Sequence, residues 1–363
     1  MPISAVDTIT LAFQHTKRQL IQPFRFWQWT RLAIVGLLAG EMGSGGGGGF
    51  NFPSGFNPQH RSPSQHFLGT EFPHIDPTIL VVLISIIVVA ALVFGLVLMY
   101  VGSVMRFILF DGVLTKECHI RDGWARRQGP GWNYFLWQLG FTICSMLAFL
   151  VLIGGPIAIA FGLGWFRAPQ EHIAGLIIGG ILVFLLFVAA MIVVSLVYVF
   201  TKDFVIPQMA LEGISALEGW RRLWPMVEGE LSGYAIYVGM KIVLAIGAGI
   251  VVGIASFILL LFIAVPSAVV VVGAVIAGKG AGLTWNVFTI TAAVVAGCIV
   301  LAIFMYVIAL ISVPVIVFFP AYAMYFFAPR YRPLSLALYP PPPSSGSVPP
   351  PEVPLLNPTP APA

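Results

Sequence analysis

The sequence predicts an all-α integral membrane protein, with about six transmembrane helices and amphipathic interfacial helices on the cytoplasmic face. Three observations carry this. Of 363 residues, 59% are hydrophobic and only 9% charged, where soluble proteins carry about 25% charged residues. Stretches such as 79–105 and 173–201 hold no charged side chain. In hydrocarbon a backbone must satisfy its own hydrogen bonds, so such runs form membrane-spanning helices. Finally, Lys and Arg fall mostly in alternate connections between the runs.

Residues 1–26 form a cytoplasmic N-terminal segment. Within it, 5–21 places Ile9, Ala12, Phe13 and Leu20 on one helical face and Lys17 and Arg18 on the other, the pattern of a helix in the membrane interface. Pro23 ends it, and Phe24-Arg25-Phe26-Trp27-Gln28-Trp29 suits the headgroup level. The apolar run that follows ends in Leu38-Ala39-Gly40-Glu41, which reads as a retained anchor rather than a cleaved signal peptide.

Residues 27–333 form the polytopic domain. Trp27 to Met42 gives ~16 residues, ~24 Å of helix against ~30 Å of hydrocarbon, so the first span is short; a re-entrant or interfacial helix is the alternative. The Gly/Pro-rich loop 43–77 cannot build a core. Longer spans are expected over 78–104, 134–162, 173–200, 234–263 and 287–311, the last continuing through Pro314 and Pro320. Gly154-Gly155-Pro156 should loosen span three. The ten apolar residues 268–277 after Pro266 rise only ~15 Å and suit a re-entrant or surface helix. Residues 334–363 form a Pro-rich, disordered tail.

Under six spans, 15 of the 18 Lys and Arg residues share one side; only Arg61, Arg167 and Lys279 face the other. The positive-inside rule then places the protein in the plasma (inner) membrane with both termini cytoplasmic. A formal net charge of +4 spread over helix ends fits anionic lipid headgroups and excludes nucleic acid as a partner. Three cysteines without a CxxC imply neither a disulfide framework nor a zinc site.

Two cytoplasmic connections look alike. One contains Asp122-Gly123-Trp124-Ala125-Arg126-Arg127, the other Glu218-Gly219-Trp220-Arg221-Arg222. A repeated unit follows: a helix comes in, a proline or polar break intervenes, and an amphipathic helix lies along the face. Interfacial Trp and paired Arg near phosphates make Trp124, Arg126, Arg127, Trp220, Arg221 and Arg222 the candidate lipid contacts.

The stretch Phe204-Val205-Ile206-Pro207, continued by Leu211-Glu212-Gly213-Ile214-Ser215-Ala216-Leu217, resembles a motif of multi-pass bacterial proteins. These are the glycerophosphodiester phosphodiesterase membrane-domain-like families. The segment from Gln22-Pro23-Phe24-Arg25 to Gly40-Glu41 is similar to an uncharacterised subgroup of them. The resemblance covers about a quarter of the chain. It implies a membrane module without the soluble phosphodiesterase domain of some relatives, and it does not imply phosphodiesterase activity.

No catalytic constellation emerges. His60, His66, Glu71, His74 and Asp76 share a loop but match no metal spacing. Asp111, Glu117, His119 and Asp122 beside Arg121 and Arg126 read as interfacial charge. An active site there would need Asp111, His119, Asp122 and Glu218 to converge in one pocket. Gly175/Gly179 and Gly249/Gly253 are spaced for close helix packing within the bundle. The expected function is a non-enzymatic membrane module, without cofactor or metal, that organises lipids, a protein partner or a second copy of itself. The alternative is a permease or lipid-handling transporter for a hydrophobic substrate, disfavoured by the scarcity of charge inside the spans.

Overall fold

The computed structural model describes residues 5–22, 24–41, 77–166, 170–280 and 287–340. Their secondary structure is helical, with no strand among the described residues. In chain order the α-helices are α1 (Asp7–Leu20), α2 (Phe26–Leu38), α3 (Pro77–Leu114), α4 (Ile120–Gly162) and α5 (Ile173–Phe200). A five-residue π turn, Thr201–Val205, follows, then α6 (Ile206–Glu212), α7 (Ala216–Gly229), α8 (Leu231–Gly280) and α9 (Val287–Phe327). A 3₁₀ turn (Ala328–Arg330) leads into α10 (Arg332–Leu338).

Among the described residues, five helical stretches are long and apolar enough to cross a membrane: Thr78–Leu114, Ile120–Gly162, Ile173–Glu212, Leu231–Ile263 and Thr289–Arg330. The expected sixth, α2, has 13 residues, only ~20 Å at 1.5 Å per residue. Two boundaries near prolines differ from the sequence reading for a common reason. Proline removes one hydrogen bond, and a long apolar helix absorbs that loss. Thus α4 begins at Ile120, makes the expected interfacial segment continuous with its span, and runs through Pro130 and Pro156. Likewise α8 continues through Pro266 to Gly280, so 268–277 is no separate re-entrant helix.

The core lies at one end, where most Lys and Arg residues sit. There the last turns of α3 and α9, the π turn, α6 and the start of α8 pack around aromatic side chains. Phe204 is the hub, with ring centroids 5.3 Å from Tyr234, 5.2 Å from Tyr237 and 5.2 Å from Phe327. Edge-to-face and offset pairs of this kind add about 0.5–1.5 kcal/mol each beyond area burial. Away from this end α3 is bare: every residue from 78 to 97 is exposed. Gly179, Gly249 and Gly253 face open space, so the glycine pairs do not seat neighbouring helices as the sequence suggested.

The two short N-terminal helices close this end. α2 packs on α3 and α9, and a side chain on Gly102 would meet the Leu38 carbonyl at 2.9 Å. α1 docks below α9 with Thr8, Ala12, His15, Thr16, Gln19 and Leu20 buried, while Phe13 stays exposed. Its buried face is therefore more polar than expected, because its partners are open helix ends. His15 Nε2 donates to the Val113 carbonyl (2.9 Å) and Gln19 Nε2 to that of Gly112 (2.8 Å). Both carbonyls belong to the last turn of α3, which lacks intrahelical donors. Carbonyl acceptance at Nε2 leaves neutral His15 to accept from Tyr325 Oη at Nδ1 (3.1 Å). Burial holds the His15 pKa below its usual value, opposed by the Val113 hydrogen bond.

Candidate functional site

Five ionisable residues from four segments meet inside the packed end: Glu41, Arg106, Asp203 and Lys241, each buried, and Lys202, whose side chain is 9% exposed. Glu41 is delivered by the end of α2. Gly40 takes a left-handed conformation (φ +76°), Gly40 N–H bonds Leu37 O (3.1 Å) and Glu41 N–H bonds Gly36 O (2.8 Å). This is a Schellman stop, and it turns the Glu41 carboxylate toward the Lys202 ammonium, with which it pairs.

Lys202 and Asp203 are consecutive in the π turn yet serve different neighbours. Asp203 Oδ2 accepts from Lys241 Nζ and from Tyr237 Oη (2.9 Å), both on α8. The turn is pinned from outside: Trp220 Nε1 on α7 donates to Thr201 Oγ1 (3.0 Å), which itself donates to Val197 O (2.6 Å). Single π turns of this kind recur at functional positions in long helices.

Arg106, eight residues before the end of α3, is held differently. Its Nη1 donates to Tyr134 Oη (2.6 Å), and Nη2 donates to Tyr198 Oη (2.7 Å) and Ala39 O (3.0 Å). All three acceptors are neutral. Lys202 and Lys241 each have a carboxylate, whereas Arg106 forms no salt bridge among the described residues. Its Nε and Glu41 Oε1 are buried without a hydrogen-bond partner there. With three cations against two carboxylates, the group carries a formal +1. Beside it lies a cavity of about 30 Å³, lined by Arg106, Lys202, Glu41 and Asp203 together with apolar residues including Phe110 and Met324.

Around this network, nearer the surface, arginines brace the helix ends. Arg127 forks onto Asp111 (Nε–Oδ2 and Nη2–Oδ1, both 2.7 Å) and donates through Nη1 to Ala210 O (2.6 Å), tying α4 to α3 and α6. Arg330 forks onto Glu230 (2.8 and 2.6 Å) and holds its carboxyl below the usual range. Arg222 pairs with Glu212 and Glu218, while Tyr331 Oη donates to Glu212 Oε1 (2.6 Å). Burial, joined by that bond, raises the Tyr331 pKa.

With the architecture in view, the sequence matches a family of unknown function, DUF7544, over residues 3–337. The chain belongs to that family. No curated protein and no solved structure matches it.

In this DUF7544 member the six candidate lipid contacts divide into two kinds. Arg127, Trp220 and Arg222 are engaged in the braces just described, and Trp124 stacks edge-on to Tyr100 with centroids 6.1 Å apart. Arg126 and Arg221 keep side chains 68% and 84% exposed, at 4.0 and 3.8 Å from Asp111 and Glu218. The repeat has matching contacts: a side chain on Gly123 would meet Ile108 at 3.1 Å, and one on Gly219 would meet Val205 at 2.7 Å. In each copy glycine lets the α4 or α7 backbone press on an earlier segment, α3 or the π turn. Ser215 starts α7 by accepting from Glu218 N–H (3.3 Å), within the segment that carries the family resemblance.

Of the four groups an enzymatic pocket would need, Asp111 and His119 line one open cavity of about 250 Å³, together with Glu117 and Arg126. Asp122 and Glu218 do not line it. No group of three metal-ligating side chains occurs among the described residues; the loop positions His60 to Asp76 lie outside them, as does the tail from 341.

Arg106, Lys202 and Lys241 entered the sequence reading only among the 15 basic residues that set sidedness, and Glu41 as the end of an apolar run. The signal available was positional. Each sits several residues inside a helix or at its stop, deeper than a snorkelling side chain needs to be.

Proposed function

We propose that this chain is a non-enzymatic integral membrane module with both termini cytoplasmic. Its braced basic end sets the spacing of helices whose outer halves meet lipids or a partner protein. The observation that carries this is the polarity of packing. One end is cross-linked by buried ion pairs and aromatic contacts, while α3 exposes apolar side chains on every face from 78 to 97. A helix apolar all round is suited to lipid or to another membrane helix. Arg126 and Arg221, loosely paired and exposed, can reach lipid phosphates, and the likeness to phosphodiesterase membrane domains supports a module of the same kind. In this reading α2 completes the sixth crossing with the residues beside it.

The test is purification in native-lipid nanodiscs, with mass spectrometry of everything that co-purifies. A stoichiometric protein, lost when Ile84 and Val88 are replaced by Trp, supports the module. A second reading, a permease or lipid-handling transporter, is favoured by the buried charges. They sit beside a π turn, Pro207 and Pro320, where transporters break helices to hold substrates or ions. A tightly held hydrophobic molecule without a protein partner, with proteoliposome flux abolished by Asp203→Asn, would replace the first reading with the second.

A further inference from the structure

We infer that the cavity beside Arg106 binds a hydrogen-bearing phosphate monoanion, either free or as the headgroup of a phosphomonoester lipid. The inference starts from charge. Lys202 and Lys241 are each neutralised by a carboxylate, but Arg106, only 7% exposed, bonds two tyrosine hydroxyls and a carbonyl. A buried cation without a counter-ion is costly, and one bound anion removes the deficit.

The donor and acceptor pattern narrows the anion. Arg106 offers an unused Nε–H, and Lys202 has ammonium protons beyond the one given to Glu41. Glu41, whose Oε1 is also unpartnered, and Asp203 line the same cavity, and their carboxylates repel a bare anion. A ligand with an anionic oxygen for Arg106 and Lys202 and a P–OH for Glu41 satisfies both sides. Chloride has no such hydrogen. Size agrees: about 30 Å³ of space holds roughly two to three waters at ~10–15 Å³ each, the bulk of a small oxyanion. The lining also includes Phe110, Ile206 and Met324, apolar neighbours that suit a phosphate carried on a lipid.

The experiment uses the full chain in phosphatidylcholine nanodiscs, in phosphate-free buffer at constant ionic strength. Inorganic phosphate is titrated while the melting temperature and the ³¹P resonance are followed. A parallel sample carries phosphatidic acid in the nanodisc, and lipid retention is read by native mass spectrometry. The expected result is a saturable rise of several degrees with one of the two sources, absent in Arg106→Gln and preserved when the exposed Arg332 is replaced, Arg332→Gln. Response to phosphate assigns a free ion; response to phosphatidic acid alone assigns a lipid. The inference is overturned if wild-type protein responds to neither, if chloride gives an equal rise, or if Arg106→Gln still responds. The wild-type arms decide the matter even if Arg106→Gln does not fold.

Discussion

Replacing Asp203 by Asn removes one charge while keeping an acceptor for Tyr237 and Lys241. Both partners of the pair are buried, with Lys241 and Asp203 side chains 4% and 3% exposed. At an effective dielectric of about 20, two unit charges ~4 Å apart attract by about 4 kcal/mol. Removing one partner of a buried pair costs about 3–5 kcal/mol, because the other charge is left uncompensated. The variant should therefore lose about 3–5 kcal/mol at neutral pH. Unfolding in nanodiscs by denaturant is the assay, followed by fluorescence of Trp220, which hydrogen-bonds Thr201 in the same π turn. Replacing the group together (Asp203→Leu, Tyr237→Phe, Lys241→Met) should restore most of the loss, since apolar packing substitutes for a buried pair. A loss under about 1 kcal/mol in Asp203→Asn, the range of exposed pairs, would refute the placement of this pair away from water.

Three further outcomes follow from the braces. His15 is neutral in the fold with a lowered pKa, so its contribution is complete above the unfolded value of about 6.5. It is lost as pH falls from there toward the lower folded value; His15→Gln, still able to donate to Val113 O, should flatten that part of the pH–stability curve. Arg127→Ala should cost about 2 kcal/mol through two charge-assisted bonds and one carbonyl bond, measured by the same unfolding assay. Gly102→Val should unseat α2, since its Cβ would lie 2.9 Å from the Leu38 carbonyl; faster hydrogen exchange across α2 than in wild type is the readout.

The five long apolar helices were legible because apolar runs without charge have one stable form in hydrocarbon. The helix limits around Pro130 and Pro266 were not, because proline is a stop signal calibrated on helices in water. The repeat was legible from Gly-Trp-Arg spacing, and Gly123 and Gly219 make corresponding contacts. The network was hidden for a different reason. Glu41 and Lys202 lie 161 positions apart, Asp203 and Lys241 38 apart, and local periodicity carries no information about which helices will be neighbours. A lone Lys near a span end looks the same whether it snorkels to water or meets a carboxylate.

The docking of α1 has a consequence for synthesis. His15 contacts Tyr325, a separation of 310 positions along the chain. At about 5–20 residues per second, the ribosome needs roughly 15–60 s to deliver the second partner after the first. During that interval the polar face of α1, with its His15 and Gln19 donors, has no α9 to lie beneath. The first helix made is thus among the last to be seated. A chain arrested before residue 309 should leave this end open to protease however well its earlier spans have inserted.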